Sequence, residues 1–521
     1  MYFGLQLVIP SLQDWQYSHS VNSLETPILE KGSLRGRFRQ ALSGSRILIV
    51  LAMTITFAIS PLIEFKQPYV ADYDLGFHLR TGEWVLQHGA VPRTETFTSV
   101  AQGKPWVAYS WLFEALLALL VREFDLVGVV LLSVVMRLAI TLVTWDLMRR
   151  IVPRFWVAVV LTALVSWISG VLTGPRPVLF TILFVIVTLD AVAIAERARS
   201  AKPLWFLIPL FALWGSIHIQ FVTGLSVLGA FALEPWLDRL FRPASRPAIP
   251  VFQRWLNLGA CTAATLVNPY GAGVWELVWN FFKQPKIYDM IEEMKAANFR
   301  VGAHYVVLAM AIAAGIAIGW RRGVRPAVAM LFIFAVEQGF RSVREMWFTA
   351  LISAVVIAMA VVGNPSEGSA VKFAGREKLA VVICVIALIA GGARYYNLND
   401  DMLWMGVNGS FPEAAARFVE AHVPGRRIFN HYDWGGYLIW RLPDRLVAID
   451  GRANNVHQQD YLEHARELWA ARPGWENAPE MTSADVIIAP TDKPLTSVLR
   501  LDSRFKVVFE NRESVVFVPA R

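Results

Sequence analysis

Residues 70–89, VADYDLGFHLRTGEWVLQHG, follow the first long apolar run of the chain. Asp72 and Asp74 open what the spacing predicts to be a short helix: at 3.6 residues per turn Asp74, His78, Thr81 and Val85 share one face, and Leu75, Leu79 and Leu86 favour another. Asp74 then sits at the helix N-terminus, where unpaired N–H groups and the positive end of the helix dipole favour an ionised carboxylate. That is the form a general base needs before it accepts a proton. An N-cap is the plainer role for an Asp in this position, and the residues alone leave both roles open.

The chain has 521 residues, 55% of them hydrophobic, only 17% charged, with 20 Trp and a mean hydropathy of +0.44. This composition excludes an ordinary soluble enzyme and predicts a polytopic membrane protein. The net charge of +8 comes from short basic clusters between apolar segments, the pattern of cytoplasmic loops facing anionic lipid, and no nucleic-acid-binding motif is present. Cys261 and Cys384 both lie in apolar runs, so neither a disulfide framework nor a Cys-based zinc site is supported.

Lys31, Arg35, Arg37 and Arg39 precede the first span, roughly Ile47 to Phe65, and predict a cytoplasmic N-terminal segment over residues 1–45. The following loop, 66–125, is then extracytoplasmic. Its apolar run 106–121 is short for a bilayer crossing, and the positive-inside bias favours an interfacial placement. Further spans are expected near 126–145, 155–173 and 178–195, as a pair between 204 and 236, and near 255–267, 303–320, 326–340, 346–363 and 379–392. The basic clusters after them (Arg149, Arg150 and Arg154; Arg197, Arg199 and Lys202; Arg239, Arg242, Arg246 and Arg254; Arg321, Arg322 and Arg325; Lys372, Arg376 and Lys378) then all fall inside. The expected fold class is a predominantly α membrane bundle of about 11 spans over residues 46–393. A soluble α/β domain follows over 394–521, on the same side as Asp74. That tail is more polar, with a helix-like run at 411–422, strand-like RLVAID (445–450) and DVIIAP (485–490), and a terminal pair of strands around Asn511-Arg512. Residues 268–301, beginning NPYG, read as a turn and an amphipathic segment at the membrane surface.

One span, a long outer loop with Asp74 and then His78, and a Gly further on resemble the GT-C superfamily of polytopic glycosyltransferases. Within it the chain is similar to the lipid-phosphosugar users, the protein mannosyltransferase and aminoarabinose transferase group, whose loop Asp precedes a Gly turn at the spacing of Asp74 and Gly89. FHLRTGEWVLQHGAVPRTETFTSV, GKPWVAYSWLFE and the tail HYDWGGYLIWRLPDRLVAIDGR resemble an uncharacterised bacterial branch, over nearly the whole chain after residue 45. The chain departs from that branch at Tyr109-Ser110-Trp111, where His-Glu-Trp is usual, and at Glu95, where Asp is usual.

The resemblance implies an inverting transfer of sugar from a polyprenyl-phosphate donor to an acceptor on the outer face of a bacterial inner membrane, with Asp74, or else Asp72, as catalytic base. It implies no cofactor and leaves the sugar, and a glycan, lipid or protein acceptor, open. The leaving phosphate needs cations, and Arg80, Arg176, His218, Arg341 and Arg344 all fall at expected outer ends. His78, Glu95, Glu114, Trp434, Asp450 and Arg452 are candidates for substrate contact. Asp433-Trp434-Gly435-Gly436-Tyr437 and Asp450-Gly451-Arg452 fit turns equally well. His78, His88, Glu83 and Glu95 offer metal-binding side chains but no ligand spacing, so a metal is not indicated. Arg137, in the middle of a span, is expected to pair with an acid such as Asp190 or Glu337. The rival functions are a transporter or flippase of a lipid-linked precursor, an O-antigen-ligase-like enzyme that relies on Arg341 or His218, and a non-catalytic scaffold. The paired halves and matching broken helices of a transporter are not detectable.

Overall fold

The computed structural model describes residues 31–66, 69–241, 247–283, 291–320, 324–361, 375–452, 455–457 and 459–520. The expectations for residues 1–30, and for Arg242, Arg246, Arg321, Arg322 and Lys372, lie outside them. Met1–Ile49 forms one unit and Val50–Arg521 a second, and the sheet and the candidate site belong to the second.

Among the described residues seven helices are long and apolar enough to cross a membrane: Arg46–Lys66, Val127–Ile151, Phe155–Leu172, Val178–Ala198, Gly302–Trp320, Val343–Val361 and Gly375–Tyr395. The chain is a multi-pass membrane protein. The other four of the expected spans fall on helices that are shorter or carry charge. Lys202–Trp214 is a short apolar stretch. Val251–Ala264 and Pro326–Arg341 are 14 and 16 residues long, and Phe221–Phe241 contains Glu234, Pro235, Asp238 and Arg239. The run around 106–121 forms the helix Trp111–Phe124 of 14 residues. At 1.5 Å per residue it reaches about 21 Å, too short for a hydrocarbon core of about 30 Å.

The helix expected after Asp74 runs from Leu75 to His88 and stops at Gly89, whose φ of 59° is left-handed and whose N–H donates to Val85 O at 2.9 Å. Two glycines let it dock closely on both sides. A Cβ on Gly82 would lie 1.9 Å from Glu114 O, on the helix Trp111–Phe124, and one on Gly76 would lie 2.3 Å from Gly436 O. Gly436 belongs to the helix Tyr432–Arg441, so the DWGGY stretch is helical rather than a turn. Its neighbour Gly435 sits where a Cβ would be 1.9 Å from Ile449 O. The pair Gly435-Gly436 is therefore explained by backbone contact on two faces of one helix.

The C-terminal part contains the helix Glu413–His422 and five strands: β1 Arg427–Asn430, β2 Leu446–Val447, β3 Val486–Pro490, β4 Phe505–Glu510 and β5 Ser514–Pro519. Their order is β2-β1-β3-β5-β4, with β1 parallel to β2 and β3, and β5 antiparallel to β3 and β4. β1 has no counterpart among the expected strands, and β2 is shorter than the expected 445–450. The loop after the first span reaches this sheet. Thr98 bridges Val447 in parallel, Ser99 N–H donates to Val447 O at 2.8 Å, and Val447 N–H donates to Phe97 O at 3.1 Å. That loop also meets the NPYG turn, through Arg93 on Pro269 O at 2.9 Å and Tyr270 OH on Pro92 O at 2.6 Å.

Arg137 is buried and pairs with neither expected acid. Its partner is Glu64 on the first span, at 2.8 Å, and its remaining donors reach Ser133, Ser169 O and Thr173 O. Asp190 is bound to Arg150 and Glu337 to Arg341. A charge inside an apolar bundle has to be paired, and only the three-dimensional neighbour decides with which acid.

Gly76→Ala forces its methyl against the Gly436 carbonyl, which is backbone and cannot rotate away. Overpacking of this kind costs about 1–3 kcal/mol. Thermal unfolding of the purified protein should show a lower Tm, and limited proteolysis should show faster cleavage between the first span and Trp111.

Candidate functional site

Asp74 lies at the wall of a cavity of about 330 Å3 that the loop after the first span, the Arg176-Pro177 turn, His218, the Glu292–Met294 turn, Arg344 and the C-terminal part enclose together. Asp74 occupies the N-cap position of the helix, yet its side chain makes no capping hydrogen bond. Asp72 does the local bonding, accepting from Asp74 N–H at 2.9 Å. The carboxylate of Asp74 is thus not engaged in holding the helix end.

Arg176 organises the acids. Its Nε donates to Asp72 Oδ2 at 2.8 Å and its Nη2 to Asp72 Oδ1 at 2.9 Å. Nη2 also lies 3.3 Å from Asp74 Oδ2, and Nη1 donates to both oxygens of Glu293 at 2.6 Å. Glu293 in turn lies 3.5 Å from Arg344 Nη1. Burial alone would raise Asp72, but the Arg176 charge and hydrogen bonds outweigh it and hold Asp72 below its ordinary value. Asp74 has only the longer contact. Burial pushes it up, Arg176 offsets part of this, and the charges of Asp72 and Glu293 add to the rise, leaving it at about 6. It is therefore mostly ionised at neutral pH and still a better proton acceptor than an ordinary Asp.

His78 Nδ1 and Glu114 Oε1 are 2.9 Å apart, both buried at the cavity wall. His218 borders the same cavity, with Nδ1 2.8 Å from Thr181 Oγ1. Burial, followed by the Arg344 charge, holds His218 well below its ordinary value and hence neutral. Tyr109, where the resembled branch has His, is pushed up to about 12 by burial and stays a phenol. Trp106 Nε1, Ser110 Oγ and Glu114 Oε2 are buried at this wall without a hydrogen-bond partner among the described residues. Buried polar atoms left this way call for a partner other than the surrounding side chains, such as a water or a ligand.

A second cavity of about 300 Å3 opens beside the first and shares Tyr109, Phe281, Met294 and Arg344 with it. Ile219, Val222, Val278, Phe334 and Phe348 make it mainly apolar, and Gln220, Gln338, Arg341 and Arg344 bring polar groups to it. Arg344 thus stands at the junction of a polar cavity and an apolar one.

The remaining candidates take other places. Arg80 points away, 3.5 Å from Glu83 Oε2 and 3.4 Å from Pro443 O, and does not line either cavity. Trp434 is buried in the core rather than at the wall, where its neighbours Tyr432 and Asp433 stand instead. Glu95 and Asp450 also lie behind the wall and hold Arg452. Its Nη1 donates to Glu95 Oε2 at 2.7 Å, its Nη2 to Asp450 Oδ2 at 2.7 Å and its Nε to Asp450 Oδ1 at 2.9 Å, with its guanidinium 4.6 Å from the centre of the Trp106 ring. The Asp450-Gly451-Arg452 turn is closed by Arg452 N–H on Asp450 Oδ1 at 2.8 Å. Gly451 fits directly against the catalytic candidate: a Cβ there would lie 2.1 Å from Asp74 Oδ1. The four side chains that offered a metal set disperse, His78 to Glu114, His88 to Trp84 O, Glu83 to Arg80 and Trp440, and Glu95 to Arg452. Glu293 is the site residue that its sequence context does not single out. It sits in a mixed-charge run with nothing to separate it from Glu292.

No family model matches the chain, and no curated protein sequence matches it. Solved structures similar to it include the oligosaccharyltransferase of Archaeoglobus fulgidus tethered to an acceptor peptide, at 12% identity and a TM-score of 0.49, over 85% of this chain and 69% of that one. The mycobacterial arabinofuranosyltransferase AftD gives 14% and 0.47, over 91% of this chain and 40% of that one. ArnT from Cupriavidus metallidurans bound to undecaprenyl phosphate gives 13% and 0.44, over 91% and 98%. All three are GT-C-fold enzymes. At these identities and TM-scores the similarity carries no argument about the reaction.

Arg452→Met leaves Glu95 and Asp450 buried without their counter-charge and should destabilise the protein by about 3–5 kcal/mol. Adding Glu95→Gln should recover part of the loss, read as Tm in detergent.

Proposed function

We propose that the chain is an inverting membrane glycosyltransferase that moves a sugar from a polyprenyl-phosphate donor to an acceptor outside a bacterial inner membrane. In this reading the N-terminus is cytoplasmic, and the cavities and residues 394–521 are extracytoplasmic. An acceptor hydroxyl lies in the polar cavity and gives its proton to Asp74 as its oxygen attacks the anomeric carbon. The bond from that carbon to the phosphate oxygen breaks on the opposite face, and the electron pair leaves with the lipid phosphate. One displacement inverts the anomeric centre. Arg344 and Arg176 meet the negative charge that develops on the departing phosphate. Asp72 is a positioning residue that holds Arg176 and the turn before Asp74. His218, neutral, serves as a hydrogen-bonding group only, and Arg341 borders the lipid side.

The observation that carries this reading is the junction. A lipid-linked sugar needs an apolar berth and a polar one meeting at a cation, with a carboxylate of raised proton affinity on the polar side. Arg344 and Asp74 stand in those relations. The three unpartnered polar atoms at the wall are suited to sugar hydroxyls.

The test compares polyprenyl-linked sugars and surface glycans by mass spectrometry in strains carrying wild type, Asp74→Asn and Asp72→Asn at equal expression. Loss of a base typically costs about 10²–10⁴-fold, so Asp74→Asn should accumulate one lipid-linked sugar and lack one modification, with Asp72→Asn less affected. If both variants match wild type while a deletion does not, Asp74 is a structural cap and the transfer reading falls. Losing Arg341 or His218 but not Asp74 would favour the ligase-like rival.

The base must be ionised to act, so activity should be present above the Asp74 value and fall as pH drops through about 6. A kcat/KM profile of the purified enzyme whose acid limb lies near the ordinary Asp value would remove Asp74 from that role.

A further inference from the structure

Arg176 has its Nε and Nη2 taken by Asp72, with Asp74 beside Nη2, so Nη1 alone is directed toward a third group. Glu293 takes it with both carboxylate oxygens and reaches toward Arg344 at the junction of the two cavities. Two oxygens of one anion, held between two guanidinium groups at that point, reproduce how a phosphate would be held. The rest of the arrangement lets the carboxylate leave. Glu293 stands on a short turn anchored by its backbone: Val343 N–H donates to Lys295 O at 3.0 Å, and Ser342 Oγ to Glu293 O at 3.4 Å. Its side chain is 36% exposed, the most exposed of the acids on Arg176.

We propose that Glu293 occupies the seat of the donor phosphate and is displaced from Arg176 and Arg344 when the lipid phosphate enters. The proposal rests on the transferase reading. A phosphate arriving with Glu293 still in place would meet a like charge at contact distance and find no open face on Arg176, so entry and exit are one exchange. The exchange protects the empty site. Without Glu293, Arg176 would lose the partner of its third nitrogen and Arg344 the carboxylate 3.5 Å from it. It also sets a threshold, because only an anion that bridges both guanidinium groups regains what Glu293 gives up.

The full-length protein in detergent is titrated with a short-chain polyprenyl phosphate, and separately with the polyprenol that lacks the phosphate. Wild type, Glu293→Gln, Glu293→Ala and Glu292→Gln are compared, the last removing an adjacent charge that Arg176 does not bind. Removing the competitor should tighten polyprenyl phosphate about tenfold or more in both Glu293 variants, with no gain for the polyprenol and none in Glu292→Gln. A merely structural Glu293 would weaken binding or leave it unchanged. If wild type prefers the phosphate to the alcohol and neither Glu293 variant gains, the exchange is overturned and the transferase reading stands. An equal gain in Glu292→Gln reduces the effect to net charge and also overturns it. If wild type and both Glu293 variants all ignore the phosphate, both readings fall.

Discussion

A guanidinium offers its N–H groups in one plane and keeps its charge, so a half-buried arginine has to be surrounded by acceptors. Arg176 meets that demand with three carboxylates drawn from two distant segments of the chain. Two of them are held by paired hydrogen bonds, and the third, Asp74, is left with one longer contact. Three negative charges around one cation cannot all be equally satisfied, and the least engaged takes up a proton most readily. The contrast between Asp72 and Asp74, two residues apart on the chain, follows from this sharing.

The second constraint is close backbone approach. Gly76, Gly436 and Gly435 bring the helix after Asp74, the helix Tyr432–Arg441 and the Ile449 region to distances that no side chain would allow. The Arg452 cluster completes the joint, since Glu95 comes from one end of the chain and Asp450 from the other. The C-terminal part is thereby a wall of the cavity rather than an appendage, and Gly451 fixes how near that wall stands to the Asp74 carboxylate.

Much of this was legible because residue type and local spacing suffice for it. The helix that opens after Asp74, the helix at 413–422 and the terminal strand pair follow from periodicity and turn residues, and the turn at Gly89 from the resemblance. Arg176, His218, Arg344, His78 and Glu114 were recognisable by chemistry and expected depth, and they do share one cavity. What failed depends on partners across the chain. Arg137 could be seen to need an acid, but not that Glu64 is the one beside it. Arg80 has the same chemistry as Arg176 and faces the other way. The four residues of β1 show no alternation, being covered on three of four positions. Gly435-Gly436 matches a turn in sequence because the same absence of a Cβ serves turns and tight packing alike.

The seating of Gly451 against Asp74 has a consequence in time. A ribosome adds about 5–20 residues per second, so the segment carrying Asp74 is made roughly 20–75 s before the turn that closes over it. Arg176 and then Glu293 join Asp72 and Asp74 within that interval, and from the making of Glu293 the acids around one arginine stand without their lid for roughly 8–32 s. Assembly of the cavity thus comes late in synthesis, and a chain released before Gly451 has its acids but no enclosed chamber.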